Sequence, residues 1–155
     1  KKPAPVPAAK TREKPRPQSA DVVGKTSRPS ATAEKKKDME LVPYGLPDLT
    51  GLLKRSDFQD AARQYYQRVK QFPGAYSLKL EVDCMDKSVE TAFQKGGFDR
   101  RMFILPKDIH GRNCLVVFWG LYPTKNKAIQ ALPTVPAFFR RQATKPALVL
   151  IRQYL

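Results

Sequence analysis

One stretch of the chain decides the fold: Cys114-Leu115-Val116-Val117-Phe118-Trp119-Gly120. Its β-branched and aromatic residues favour a strand over a helix. Both alternating positions are apolar, which is typical of a strand in the middle of a sheet with neither face in water. Either another part of the chain covers the second face of this sheet, or that face binds a ligand.

The segments on either side of this central strand supply further strands and helices. Upstream, the Asp108–Gly111 turn follows a strand expected over Arg101–Leu105 and closed by Pro106. Further upstream, apolar residues alternate with polar ones from Tyr76 onward, which predicts a half-buried strand. Its expected inward positions are Leu78, Leu80, Val82 and Cys84, and its outward positions are Lys79, Glu81 and Asp83.

Two helices complete the pattern. Asp86 is a suitable cap for a helix that presents Val89, Ala92 and Phe93 inward and stops at Gly96-Gly97. Thr124 and Asn126 are suitable caps for a second helix, which Pro133 shortens, and Leu148–Arg152 reads as the last strand. The order predicts an α+β fold: a split βαβ, ferredoxin-like or RNP-like, four-stranded antiparallel sheet with two helices on one face.

Residues 39–73 are expected to form a helical hairpin before this domain of residues 74–155. Ser56-Asp57-Phe58-Gln59 matches a capping box, and an apolar stripe at helical spacing follows it as far as Pro73-Gly74. Leu49, Leu52 and Leu53 suggest a shorter helix before it. The pair resembles one hairpin of the tetratricopeptide type, and one hairpin does not make an array.

Residues 1–38 are expected to be a disordered, basic, proline-rich tether. They contain no Leu, Ile, Met or aromatic residue, and they carry 11 Lys and Arg against four acids. Residues 39–155 carry 18 against 10, so both parts contribute to the net charge of +15. An anionic partner is implied, and nucleic acid, anionic lipid and cell-wall carboxylates all satisfy that requirement.

No catalytic residues, metal site or cofactor is expected. The single histidine, His110, lies in a glycine turn, so no set of nucleophile, base and orienting group can be assembled around it. Cys84 and Cys114 do not have zinc-ligand spacing. The prediction is a non-enzymatic protein.

The third strand and the helix after it resemble those of SPOR domains, the peptidoglycan-binding modules of bacterial envelope proteins. The resemblance is carried by Val117-Phe118-Trp119-Gly120-Leu121-Tyr122-Pro123-Thr124 and Lys127-Ala128-Ile129-Gln130-Ala131-Leu132-Pro133. The first strand, Tyr76-Ser77-Leu78-Lys79-Leu80, is similar to the opening strand of the family. Together these segments span about Tyr76 to Ile151, half of the chain.

The resemblance implies that the open sheet face binds peptidoglycan glycan strands stripped of their stem peptides. The expected ligand contacts are Lys79, Glu81, Val116, Phe118 and Tyr122. Aromatic faces stack on sugar rings, and cations attract the lactyl carboxylates of muramic acid. The alternatives are an RNA-binding module of the RNA-recognition type and a protein–protein scaffold of an envelope complex.

The resemblance also implies a periplasmic location. The chain begins at Lys1 without Met, so we expect a membrane anchor upstream. In that oxidising compartment Cys84 and Cys114, on neighbouring strands, could be bridged. Strict alternation from Leu78 to Cys84 and from Cys114 to Trp119 places the two sulfur atoms on opposite faces. The prediction is therefore two free thiols unless a β-bulge intervenes between Cys114 and Trp119.

Overall fold

The computed structural model describes residues 44–155, so the expected tether and residues 39–43 of the hairpin lie outside the described residues. Residues 44–155 begin with the short helix α1 (Thr50–Lys54) and the longer helix α2 (Phe58–Val69). The apolar stripe of α2 is buried as the spacing predicts. The Ser56 capping box is not formed, because Ser56 (φ 61°) ends α1 instead, where Asp57 N–H donates to the carbonyl of Leu52.

The remaining elements follow the predicted order of strand, helix, strand, strand, helix, strand. Two 3₁₀ helices and one short α-helix are added near the carboxyl terminus. The elements are β1 (Tyr76–Asp83), α3 (Asp86–Lys95), β2 (Met102–Ile109), β3 (Arg112–Tyr122), α4 (Lys125–Gln130), a 3₁₀ helix (Leu132–Thr134), α5 (Ala137–Arg141), β4 (Ala147–Leu150) and the C-terminal 3₁₀ helix (Ile151–Tyr154).

The four strands form one antiparallel sheet in the order β2-β3-β1-β4. This order confirms the split βαβ fold with helices packed on the sheet. On the helix-bearing face, the Trp119 Nε1–H donates to Thr134 Oγ1 at 3.0 Å, just after α4. Within residues 44–155, no helix combines the length and apolar character needed to span a membrane.

Several element boundaries differ from the sequence prediction. Strand β2 continues through Pro106 to Ile109, because a proline is tolerated on an edge strand, where its missing N–H breaks no ladder bond. Strand β4 ends at Leu150, and the predicted strand residues Ile151 and Arg152 begin the C-terminal 3₁₀ helix. The proline-rich spacing after α4 gave no indication of α5.

A β-bulge in β1 changes which side chains share a face. Lys79 lies opposite Phe118, yet Glu81 lies opposite Val117, so β1 has one extra residue at Leu80. The predicted single apolar face from Leu78 to Cys84 is therefore wrong beyond Leu80. Val82 turns to the face opposite the helices and is 38% exposed.

The same bulge places the two cysteines on one face. Cys84 and Cys114 form a disulfide, so the prediction of two free thiols is wrong. The bulge considered from the sequence lay in β3, between Cys114 and Trp119, whereas the one that brings the sulfur atoms together is in β1. No residue type at Leu80 signals a bulge, and this is why strict alternation failed.

The sheet face opposite α3 and α4 is covered near its centre. Phe118 stacks on Phe103 with ring centroids 5.0 Å apart, and the Tyr154 ring meets Phe118 edge-on at the same distance. Tyr65 of α2 contacts Phe103 from the side, at 6.0 Å. The continuous apolar run of β3 is thus explained by cover from both sides, which is one of the two alternatives that the sequence left open.

Candidate ligand-binding site

The five predicted contact residues do not form one surface. Lys79 and Phe118 are cross-strand partners, and Val116 lies two residues from Phe118 on the same face. Glu81 points to the helix-bearing face, because the Leu80 bulge reverses the alternation of β1. Tyr122 lies at the far end of β3, beyond a second irregularity in the β1–β3 ladder.

The apolar members of the predicted site are not available to a ligand. Val116 and Phe118 have exposed fractions of 0%, and Phe118 is enclosed by Phe103 and Tyr154. Tyr122 is also buried. These three residues belong to the hydrophobic core, so the prediction that they contact ligand directly is corrected.

Two exposed and two half-buried side chains around Val116 and Phe118 form a smaller surface. We name it the lysine–tyrosine patch, and its members are the exposed Val82 and Lys107 and the half-buried Lys79 and Tyr154. Lys79 and Val82 lie opposite Phe118 and Val116 on β1. Lys107 of β2 places its Nζ 4.5 Å from the centroid of the Tyr154 ring, a cation–π contact. Partial burial raises the pKa of the Tyr154 phenol, and its hydroxyl can both donate and accept hydrogen bonds.

Lys107 and Tyr154 were not among the predicted site residues. Lys107 follows Pro106, where the predicted second strand was closed, and Tyr154 follows the predicted last strand. The alternation of Phe103, Leu105 and Lys107 would have placed Lys107 on this face, had the strand been extended through the proline. No local signal in the sequence places Tyr154 over Phe118.

Glu81 lines a separate pocket of about 470 Å³ on the helix-bearing side of the sheet. Asp83, Met85, Lys87, Ser88, Thr91, Ala92 and Phe138 form the rest of its wall. Burial raises the pKa of Glu81 to about 7, and the negative charge of Asp83 adds to the rise. Burial likewise raises the pKa of Asp83. Gln142 Nε2 donates to Glu81 Oε2 at 3.4 Å.

Glu81 and Asp83 lie on the same face of β1, and the negative charge of Asp83 disfavours ionisation of Glu81. Retaining and inverting glycosidases hold their carboxyl groups at least about 5 Å apart, with the substrate between them. Here the two groups adjoin on one strand, so the pair does not match that arrangement. Across residues 44–155, no group of three or more His, Cys, Asp and Glu side chains is placed to hold a metal ion.

Tyr122 has a structural role at the end of β3. Gly120 adopts φ 66°, and its missing side chain leaves the space that the Tyr122 phenol fills. Arg101, held by Asp99 through hydrogen bonds of 2.9 and 2.7 Å, stacks its guanidinium 4.3 Å from the centroid of the Trp119 ring. The Gly-Leu-Tyr segment therefore turns the chain and closes the core.

Comparison with known proteins gave no match: no family model, no curated protein and no solved structure is similar to this chain at a significant level. The assignment of function therefore depends on the chemistry of the described residues and on the resemblance in the sequence.

Proposed function

We propose that the chain is a non-enzymatic envelope protein that binds peptidoglycan glycan strands through the lysine–tyrosine patch. The observation that carries the proposal is the grouping of Lys79, Lys107 and the half-buried Tyr154 ring on one face of a sheet of the split βαβ topology. The resemblance of β3 and α4 to the SPOR family supports the same assignment.

The chemistry of the patch suits a carboxylated glycan. The ammonium groups of Lys79 and Lys107 can pair with lactyl carboxylates, since charge-assisted hydrogen bonds are the stronger class. Val82 and the ring of Tyr154 offer apolar area to the carbon face of a sugar. The neutral Tyr154 hydroxyl can exchange hydrogen bonds with sugar hydroxyls.

The disulfide supports a location outside the reducing cytosol. Bonds such as Cys84–Cys114 form and persist in oxidising compartments, including the bacterial periplasm. A periplasmic location is part of the proposal.

The burial of Phe118 argues against the RNA-binding alternative. Modules of that class stack bases on aromatic rings exposed on the central strands of the sheet. Here Phe118, on the central strand β3, is fully buried, as is its neighbour Phe103 on the edge strand β2. The basic surface also attracts nucleic acid without sequence specificity, and this attraction weakens as the salt concentration rises, so binding is compared at physiological salt.

Pull-down of the full chain with purified sacculi tests the role of the patch. Sacculi should retain little of the Lys79→Ala/Lys107→Ala variant. The control Lys95→Ala, which removes an exposed cation at the end of α3, should be retained as well as the unmodified chain. Equal retention of both variants would contradict the proposal. Single-stranded RNA added at physiological salt should not displace the chain from sacculi, and displacement would favour the nucleic-acid alternative.

A further inference from the structure

One edge of the sheet is covered by a helix and the other is not. At one edge, α2 lies against β2 through the contact of Tyr65 with Phe103. At the other edge, β4 pairs with residues 76–79 of β1 on its inner side. Within the described part of the chain, no backbone hydrogen bond satisfies the outer side of Ala147–Leu150. An unpaired strand edge is a template for a further strand.

A cationic pocket adjoins the start of this free edge. The pocket has a volume of about 400 Å³, and its lining residues are Leu132, Pro133, Arg140, Lys145 and Pro146. The Arg140 Nε–H donates to the Val135 carbonyl, and Lys145 Nζ donates to the Arg140 carbonyl, both at 2.8 Å. These bonds hold both cations beside an apolar floor made by the leucine and the two prolines.

The cations of this pocket are not neutralised by acids of the described chain. None of the ion pairs found in residues 44–155 involves Arg140, Arg141 or Lys145. All three residues are exposed. A strand edge flanked by unpaired positive charge is complementary to a negatively charged segment in extended conformation.

We propose that β4 is a docking edge for an extended acidic peptide segment of a partner protein. The segment adds as a fifth strand along Ala147–Leu150, so its backbone satisfies the free amide and carbonyl groups. One apolar side chain enters the pocket against Leu132 and Pro133, and neighbouring carboxylates pair with Arg140 and Lys145. This interaction is separate from glycan binding, which lies on the sheet face.

A second copy of the same chain is a poor occupant of this edge. Two β4 strands paired about a two-fold axis run antiparallel, so Lys145, before β4 in one copy, lies towards the exposed Arg152, after β4 in the other. Like charges that face each other across a strand pair are destabilising. Lys145 therefore opposes self-association at the edge while it favours an acidic partner.

Fluorescence anisotropy of a labelled ten-residue peptide tests the proposal with the full chain. The probe alternates Glu with Val and carries one central Leu. It is compared with two N-methylated peptides, each of which lacks the amide hydrogens on one of the two edges of the extended backbone. Strand addition predicts that one methylated version binds about tenfold more weakly and the other binds normally. Equal binding of the two methylated versions would overturn the proposal, because it indicates charge attraction alone.

Charge-reversal variants locate the site. Arg140→Glu/Lys145→Glu should weaken binding of the unmethylated probe about tenfold or more, since two attractive contacts become repulsive. Lys70→Glu/Lys125→Glu, the same change in net charge at exposed positions elsewhere, should leave the affinity within about twofold. If both variants bind equally weakly, the peptide recognises net charge and the docking edge is refuted. Circular dichroism of each variant confirms that it is folded.

Discussion

Reduction of the Cys84–Cys114 disulfide is expected to lower the free energy of unfolding by about 3–4 kcal/mol at 25 °C. The two cysteines are separated by 30 residues, and this loop contains α3, β2, the whole β2–β3 turn and the start of β3. Releasing the cross-link frees that loop in the unfolded chain. The chain-entropy relation for a loop of this length gives about 3.6 kcal/mol.

The loss is large for a domain of this size. A single domain is usually stable by about 5–15 kcal/mol, so the reduced chain should remain folded but denature about 15 °C lower. Since Cys84 is exposed, a reductant can reach the bond without prior unfolding.

Urea denaturation followed by circular dichroism measures this effect. Oxidised protein, reduced protein and a Cys84→Ala/Cys114→Ala variant are compared. Reduced protein and variant should share the lower stability, and reductant should have no effect on the variant. Stabilities of oxidised and reduced protein within about 1 kcal/mol of each other would refute the reasoning. Alkylation of both cysteines without prior reduction would show that the bond is absent.

Three substitutions, the last with Gly97→Ala as its control, test other parts of the structure. Folding raises the pKa of Glu81 from 4.5 to about 7, so its protonated form stabilises the fold below about pH 4.5, and this contribution is lost as pH rises through 7. Glu81→Gln should therefore raise the free energy of unfolding by about 1–2 kcal/mol near pH 8, a value reduced to allow for solvent screening, and should leave it unchanged near pH 4. Urea titrations at both pH values measure the difference. Phe118→Ala should cost about 3–5 kcal/mol in the same assay, whereas a cost below about 1 kcal/mol would mean that the ring is not enclosed. Gly120→Ala should destabilise the fold by about 2–4 kcal/mol, because the added methyl group meets the Tyr122 phenol and the backbone has a positive φ. The control Gly97→Ala also has a positive φ (69°) but open space around it, so it should cost only about 1 kcal/mol. Equal costs would contradict the contact between Gly120 and Tyr122.

The fold was predictable because most of its signals are local. The apolar run from Leu115 to Trp119, the Thr124 cap and the Gly96-Gly97 stop each fix one element without knowledge of the rest. The structure confirms the Thr124 cap, whose hydroxyl accepts from Lys127 N–H. The order of these elements leaves few topologies, and the observed sheet order is the one that the split βαβ pattern predicts.

The candidate site was less predictable because its composition depends on register and on distant segments. The bulge at Leu80 separates Glu81 from Lys79 and brings Cys84 to Cys114, yet nothing in the local sequence marks it. The placement of Tyr154 over Phe118 depends on how the chain turns after β4, which is a tertiary effect. Prediction of a binding face from alternation alone therefore assigned core residues to a surface.

The ratio of full-chain binding to amidase-treated and untreated sacculi tests the central claim most directly. Amidase removes the stem peptides and leaves the glycan strands, so it exposes the carboxylated sugar backbone to which the lysine–tyrosine patch is assigned. Binding to glycan predicts severalfold more retained protein after amidase treatment, with the increase abolished in the Lys79→Ala/Lys107→Ala variant. Unchanged or reduced retention after treatment, or an increase that persists in the variant, would contradict the claim.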